Sequence, residues 1–455
     1  MAEDGSILSY ACPRCDRALD AVGDRLRCAG CRVDFPRVAG IPWLFAEPGA
    51  ALDEWRARFG FALRRAEQEA ARLEAASGAP TLREQTKARL AASRAALVDH
   101  AARLRTLLAP LGEAIATAKP ETYLALRTRL PPDQGLTTYY HNVHRDWAWG
   151  ERENEAALAA VAAALGDRPA GRTLVLGAGA GRLAYDFHER CGPSVTAALD
   201  FNPLLVLVAA RAARGEAVEL YEFPLAPRST AEHAVLRRLA APAPARAGLE
   251  FVLADAHRPP FAAGAFDTIV TPWLIDILPE PFDALAARIN ALLADGGRWL
   301  NFGSLAFHDA DPALRYGLDE CVAALEEHGF GTPEVTEQEV PYMASPASRH
   351  ARLERTVTWI AEKRRAAKRP ARYQALPEWL VRGTDPVPLT DSFRTQAATT
   401  RIHAFIMSLI DGRRSLKDIA AVLAEQRLVA PEEGEGLIRG FLIKMYDDSR
   451  RGIGY

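Results

Sequence analysis

The chain has almost no charge imbalance. Its 455 residues set 56 lysines and arginines against 58 aspartates and glutamates, a formal net charge of -2. A chain without a global basic field is not drawn as a whole to nucleic acid or to anionic lipid. Long apolar runs are missing as well. The best stretch, "EAALAAVAAALG", is mostly alanine and too short to span a bilayer. The first residues, "MAEDGSILSY", have no basic segment leading into an apolar one, so no signal peptide is expected and a cytoplasmic location is. No internal repeat or low-complexity tract stands out. With 49% hydrophobic and 25% charged residues the composition is globular, and the length exceeds what one ordinary core accommodates.

Cysteine is scarce, and its placement is uneven. Four of the six cysteines lie in the first 31 residues, as "CPRC" (Cys12, Cys15) and "CAGC" (Cys28, Cys31). Two such knuckles supply the tetrahedral sulfur set that zinc favours. Disulfides are the alternative, but a reducing cytosol opposes them; a redox pair would need only one motif. Four sulfurs leave no open coordination position, so the zinc is expected to hold a fold together and to do no chemistry. Cys191 and Cys321 stand alone and read as structural thiols. After the second knuckle, "VDFPRVAGIPWLF" reads strand-turn-strand. In its order of motifs, residues 1–47 resemble the zinc-ribbon activator subunit that partners several tRNA and translation-factor methyltransferases.

Residues 50–130 read as a polar-rich helical segment. Thr81 with Glu84 forms a capping-box pattern, and Leu90, Leu97, Leu104 and Leu108 make an apolar stripe for packing. "PPDQG" at 131–135 marks a break. Residues 136–363 alternate strand-like and helix-like stretches, which predicts an α/β domain with a doubly wound parallel sheet. The expected strands are "RTLVLGAG", "SVTAALDF", "LEFVLADA", "AFDTIVTPWLI" and "GGRWLNFGSLA". "EFPLAPRSTAEHAVLRRLAAPAPARAG" is too long for a turn and reads as a lid or helical insert. "KRRAAKRPAR" (363–372) reads as a solvated linker, followed by a small, mostly α domain over 373–455.

The chemistry concentrates at strand ends. "LVLGAGAGR" (174–182) ends an apolar run in alternate glycines, which let a ligand approach bare backbone at a strand-to-helix turn. Asp200 closes the second strand, where a carboxylate can accept both hydroxyls of a ribose. "ADA" closes the third, so Asp255 is placed for an adenine amino group and the Ala256 amide for a ring nitrogen. The turn is short and lacks the spacing that cradles a pyrophosphate, so S-adenosylmethionine fits better than a dinucleotide. Ordinary turn or cap carboxylates are the alternative for both aspartates.

The words "HRDW" (144–147), "GAGAGRLAYDF" (177–187), "WLID" (273–276), "GGRWLNFGSLAFH" (296–308) and "VPYMA" (340–344) occur in order. By them residues 139–363 resemble the carnosine N-methyltransferase family, which moves a methyl group from S-adenosylmethionine to an imidazole nitrogen. The resemblance implies a Rossmann-like class I methyltransferase domain. It places Arg145 at the cofactor, Asn142 where the family has glutamine, Gly177 and Gly179 over the methionine part, and Asp200 where the family has glutamate. It puts Pro272 at a backbone contact to the cofactor, Asp276 and His308 on the substrate imidazole, and Tyr342 and Trp273 on the substrate side. Asp276 is expected to accept the imidazole N–H and so select the tautomer that presents a bare nitrogen. A helix N-cap would also explain Asp276, and a hydrogen-bonded core histidine would explain His308. Two further family tyrosines align with Arg352 and Glu354, so carnosine itself is not the expected substrate. A histidine derivative or histidyl peptide is.

The C-terminal "LIDGRRSLKDIAAVLAE" weakly resembles the winged-helix peptide-binding domains of the PqqD type, which would allow a protein or peptide partner there. Two other readings compete with an imidazole N-methyltransferase: a zinc-ribbon methyltransferase of a translation-related protein or RNA, and a cofactor-binding regulatory module. The chain has "TPWL" where the first would need an "NPPY"-type loop. Intact Gly177, Gly179, Asp200, Asp276 and His308 argue against the second.

Overall fold

The computed structural model describes residues 8–114, 135–309, 311–368, 379 and 385–451. The end of the expected helical segment (115–130), most of the break at 131–135, the linker beyond 368 and the first residues of the C-terminal domain lie outside them. The chain divides into two compact units, Met1–Ala375 and Leu376–Tyr455.

In the first unit β1 (Asp20–Val22), β2 (Arg25–Cys28) and β3 (Val33–Phe35) form an antiparallel sheet, and β4 (Arg37–Val38) pairs with β5 (Ile41–Pro42). Two long helices follow, Pro48–Ser77 and Glu84–Leu108. The leucine stripe behaves as its spacing predicts: Leu90, Leu97, Leu104 and Leu108 are all buried. The capping box does not form. The second helix starts two residues later than that pattern requires, with Arg83 at the N-cap and no side-chain cap.

The central sheet contains β6 (Arg172–Leu176), β7 (Val195–Asp200), β10 (Leu249–Leu253), β11 (Phe266–Pro272), β12 (Leu293–Gly303), β13 (Glu334–Tyr342) and β14 (Arg352–Glu362). Their order is β10-β7-β6-β11-β12-β14-β13. The five expected strands are all present and mutually parallel, whereas β14 runs antiparallel to β12 and β13 antiparallel to β14. The sheet is therefore mixed, and the parallel expectation holds for its first five strands. Alternate residues enter two cores: Leu174 and Leu176 on one face, Val175 on the other, as strand geometry requires. The expected lid or helical insert instead supplies the second strand of a β-hairpin, β8 (Val218–Glu222) with β9 (Val235–Leu239), joined through a connection that holds a 3₁₀ turn at Thr230–His233. Its β-branched and alternating residues outweigh the helix-forming "LRRL".

The zinc-ribbon-like module closes one sheet edge. Leu44 N donates to Leu253 O at 2.7 Å, Ala11 N donates to Pro260 O at 2.8 Å, and Tyr10 Oη donates to Glu250 at 3.0 Å. Trp43 and Leu44, fully buried, pack into opposite cores and so wrap the edge of β10. Burial of each such side chain contributes roughly 1.5–3 kcal/mol, and the pairing removes an exposed edge.

The second unit comprises, among its described residues, helices Asp391–Ser408, Leu416–Glu425 and Pro431–Arg451 around a small core of Leu409, Ile419, Leu423 and Ile438. Ser415 and Asp418 form a reciprocal capping box after the Asp411–Gly412 turn. No strand of a wing occurs among the described residues of this unit.

Candidate active site and metal centre

The C-terminal ends of β6, β7, β10, β11 and β12 bring the expected residues to one edge of the sheet, where an α/β fold binds ligands. Gly177 and Gly179 have left-handed φ values of +75° and +57°. A Cβ on Gly177 would lie 2.7 Å from Leu274 Cδ1, while one on Gly179 would meet nothing within 4 Å. The first glycine is thus demanded by packing and the second leaves open space over the turn. Asp200 is buried. Its Oδ2 accepts Gly179 N at 2.8 Å and its Oδ1 accepts Asn202 N at 2.9 Å. Burial pushes its carboxyl upward against the pull of the amides of Asn202, Gly179 and Phe201. Asp200 therefore braces the turn as well as facing the ligand edge. At the end of β10, Asp255 accepts His257 N at 2.8 Å and His257 Nδ1 at 2.7 Å, beside buried Ala256. Burial raises the Asp255 carboxyl, and the His257 bonds outweigh it, holding the group below the usual carboxylate range.

Arg145 and half-buried Asn142 lie on a helical run whose second half, Arg145–Trp149, is π-helical. π-Turns of this kind occur often at functional sites. Arg145 pairs with buried Asp146 at 2.7 Å; burial works against the guanidinium charge, and Asp146 restores it. The neighbours in "HRDW" tie this run to the glycine turn. Trp147 Nε1 donates to Ala180 O at 2.7 Å, and Asp146 accepts Arg182 N at 3.3 Å. Sequence reasoning quoted the word but missed the roles of Asp146 and Trp147, which only the folded contacts disclose.

Pro272 ends β11, and Trp273 follows in the left-handed region at φ +51°. Gly303 lets the two strand ends meet, since a Cβ there would sit 2.9 Å from the Trp273 backbone. A non-glycine residue held in that region costs about 1–3 kcal/mol, and such strain clusters at functional sites. Asp276 comes next. Its Oδ2 accepts Ser304 Oγ and Ala306 N, the latter at 2.9 Å. Its Oδ1 is buried without a hydrogen-bond partner among the described residues. Asp276 is no N-cap: the following helix starts at Phe282 with Pro281 before it. His308 is exposed two residues beyond Ala306, so it is no core histidine either.

The Tyr342 ring lies 4.8 Å from that of Trp273, 5.8 Å from the Arg145 guanidinium and 4.6 Å from that of Arg352. Tyr342 and Arg352 are direct partners across the β13–β14 pairing. Arg352 in turn bonds Glu354 at 2.7 Å. The structure thus brings Arg145, Trp273, Tyr342, Arg352 and Glu354 together. It leaves His308 without a described contact to them.

In the N-terminal module, the sulfurs of Cys12, Cys15, Cys28 and Cys31 all lie within 4.8 Å of one another. Arg14 N points to Cys12 Sγ and Cys31 N to Cys28 Sγ, each at 3.4 Å, as at paired knuckles. Burial pushes the Cys12 thiol up to about 12. The donor set fits structural zinc.

The family model described as carnosine N-methyltransferase matches residues 134–365, just over half of the chain. Among curated proteins none matches the sequence. Solved structures similar to it include the YcgJ protein of Bacillus subtilis, at 15% identity over 46% of this chain and 99% of that one, with a TM-score of 0.33. An S-adenosylmethionine-dependent methyltransferase of Thermotoga maritima is 14% identical over 54% and 97% of the two chains, with a TM-score of 0.30. A complex of the Haloferax volcanii Trm112 methyltransferase activator with a methyltransferase gives 14% identity over 50% and 97%, and a TM-score of 0.34. At such values the fold assignment rests on strand order itself. No helix among the described residues is long and apolar enough to cross a membrane.

Proposed function

Since the chain belongs to the carnosine N-methyltransferase family, we propose that it methylates an imidazole nitrogen of a histidine derivative or a histidyl peptide. It is an S-adenosylmethionine-dependent methyltransferase, and that cofactor supplies an electrophilic methyl group on sulfur. Arg145 and Asn142 are assigned to its carboxylate, Gly177 and Gly179 to the methionine part, Asp200 to the ribose, Asp255 and Ala256 to adenine, and Pro272 to a backbone contact. The open space over Gly179 and the buried carboxylate of Asp200 fit this group.

The observation that supports the substrate class is the unpartnered, buried Oδ1 of Asp276. A buried acceptor left unsatisfied costs about 1–3 kcal/mol, and an imidazole N–H would satisfy it. Ser304 and Ala306 fix the other oxygen, so the carboxylate cannot turn away. With its N–H held there, the ring presents its bare nitrogen for attack. Trp273 and Tyr342 wall the ring and exclude water, and His308 serves the polar groups of the substrate. Arg352 and Glu354 select the rest of the substrate through charge. Alignment in a dry site supplies most of the acceleration, with no covalent intermediate on the protein. Methyl-transfer assays over imidazole compounds, with the methylated nitrogen assigned by NMR, test this reading; no transfer to any imidazole refutes it.

A further inference from the structure

Helix Glu151–Leu165 begins beside the π-turn, and its third residue does something the helix does not need. Glu153 is buried, and its two oxygens accept two consecutive backbone amides: Met343 N at 3.0 Å and Ala344 N at 2.8 Å. Those amides belong to the turn directly after Tyr342. Met343 adopts φ +56°, a left-handed value that a methionine does not take unless its surroundings impose it. Successive amides around a left-handed residue form a concave nest for an anion, and here the anion is a side chain of the protein. The next residue, Asn154, faces the other half of the site. Its Nδ2 donates to the carbonyls of Arg145 and Asp146, each at 3.3 Å. Adjacent side chains on one helix end thus hold the arginine assigned to the cofactor and the tyrosine assigned to the substrate.

We propose that Glu153 is a positioning residue for substrate binding: by filling the nest at Met343–Ala344 it aims Tyr342 at Trp273 and keeps it in register with Arg145. The proposal rests on the substrate side being where the preceding section puts it. Two features favour positioning over plain stability. The contact falls on a strained turn and not on the body of β13, and Tyr342, the strand residue directly before that turn, touches Trp273, Arg145 and Arg352. Glu222 accepts Ser345 Oγ one residue further on, so the far end of the turn stays anchored when Glu153 is altered.

Glu153→Gln is the test. Its amide NH₂ must face one of the two N–H donors, so the nest cannot close. Hydrogen exchange at Met343 and Ala344 should accelerate at least about tenfold, the scale of one lost charge-assisted bond. With L-histidine and carnosine as probes, KM should rise by about the same factor while kcat changes little and the Kd for S-adenosylhomocysteine stays within about twofold. Glu153→Asp, which keeps the anion, should fall between wild type and Glu153→Gln; it also serves if the glutamine variant does not fold. Unchanged exchange at the two amides overturns the clamp. Faster exchange with unchanged KM, or a parallel loss of S-adenosylhomocysteine affinity, overturns the positioning role. If wild type methylates neither probe, KM is read with a thiol-bearing histidine or a short histidyl peptide instead; if it methylates no imidazole compound, the preceding reading fails, and exchange alone decides whether Glu153 holds the turn.

Discussion

Asp276→Asn separates charge and tautomer control from size. In the structure one carboxylate oxygen receives Ala306 N and Ser304 Oγ. A backbone N–H can only donate, so the asparagine must leave its carbonyl oxygen on that side. Its NH₂ then takes the place of Oδ1, the buried oxygen without a partner. A donor stands where the substrate N–H needs an acceptor. The favoured imidazole tautomer is excluded, and the opposite one, offering its bare nitrogen to the amide, is selected. Loss of an orienting carboxylate of this kind costs roughly 10²–10⁴-fold in turnover, about 3–5.5 kcal/mol of barrier. Cofactor affinity should remain, because Asp200, Asp255 and the glycine turn are untouched. Single-turnover methyl transfer read by mass spectrometry gives the rate, and NMR of the product gives the position. The nitrogen left facing the methyl group then carries the proton and has no lone pair for attack, so product should fall with its position unchanged. A wild-type rate in the variant would refute the assignment of Asp276.

Asp200→Ala should weaken S-adenosylhomocysteine binding by roughly 1–3 kcal/mol in calorimetry, since both the proposed ribose contact and the acceptor for Gly179 N are lost. Replacing Arg352 and Glu354 together by tyrosine should raise kcat/KM for carnosine relative to L-histidine in a competition assay; an unchanged ratio would mean that this pair does not select substrate. Cys28→Ser should release zinc, loosen residues 8–47 and speed hydrogen exchange at Leu44, whose amide pairs with Leu253. Buried His144 and His100 sit against Tyr140, with both ring nitrogens of His144 and Nδ1 of His100 without a hydrogen-bond partner among the described residues. Burial, aided by neighbouring cationic groups, depresses them from 6.5 to about 3 and about 4. The folded state thus holds them neutral: their contribution is fully present above pH 6.5 and is lost as pH falls from there towards 4. The slope is about 1.4 kcal/mol per pH unit for each. Urea unfolding at pH 7.5 and pH 5 should show a smaller acid loss in His144→Leu than in wild type.

Much of this architecture is written locally. Runs such as Leu174–Leu176 and Val195–Leu199 are apolar on both faces because both faces are covered, and a glycine turn after the first marks the ligand edge. The cysteine pairs announce their own geometry, and the leucine stripe at 90–108 is a plain helical period. The β13–β14 hairpin was harder to see. Its outer residues "EVTEQEV" are charged and exposed at the sheet edge, so they carry no buried period. The β8–β9 hairpin hides behind helix-forming arginine and leucine. Site residues split the same way. Asp200 and Asp276 are conspicuous because they end apolar strands or their turns. Asp146 and Glu153 look like surface acids at a helix start, and only chain segments 36 and 190 residues away give them partners.

The central claim is that an imidazole nitrogen receives the methyl group. The direct measurement incubates the full chain with isotopically labelled S-adenosylmethionine and L-histidine, carnosine, a thiol-bearing histidine or a short histidyl peptide, and maps the label by mass spectrometry and NMR. The account predicts label on one ring nitrogen of at least one of them, abolished or slowed by roughly 10²–10⁴-fold in Asp276→Asn. Label on an amine, carboxylate or thiol, or on no imidazole compound at all, would contradict it.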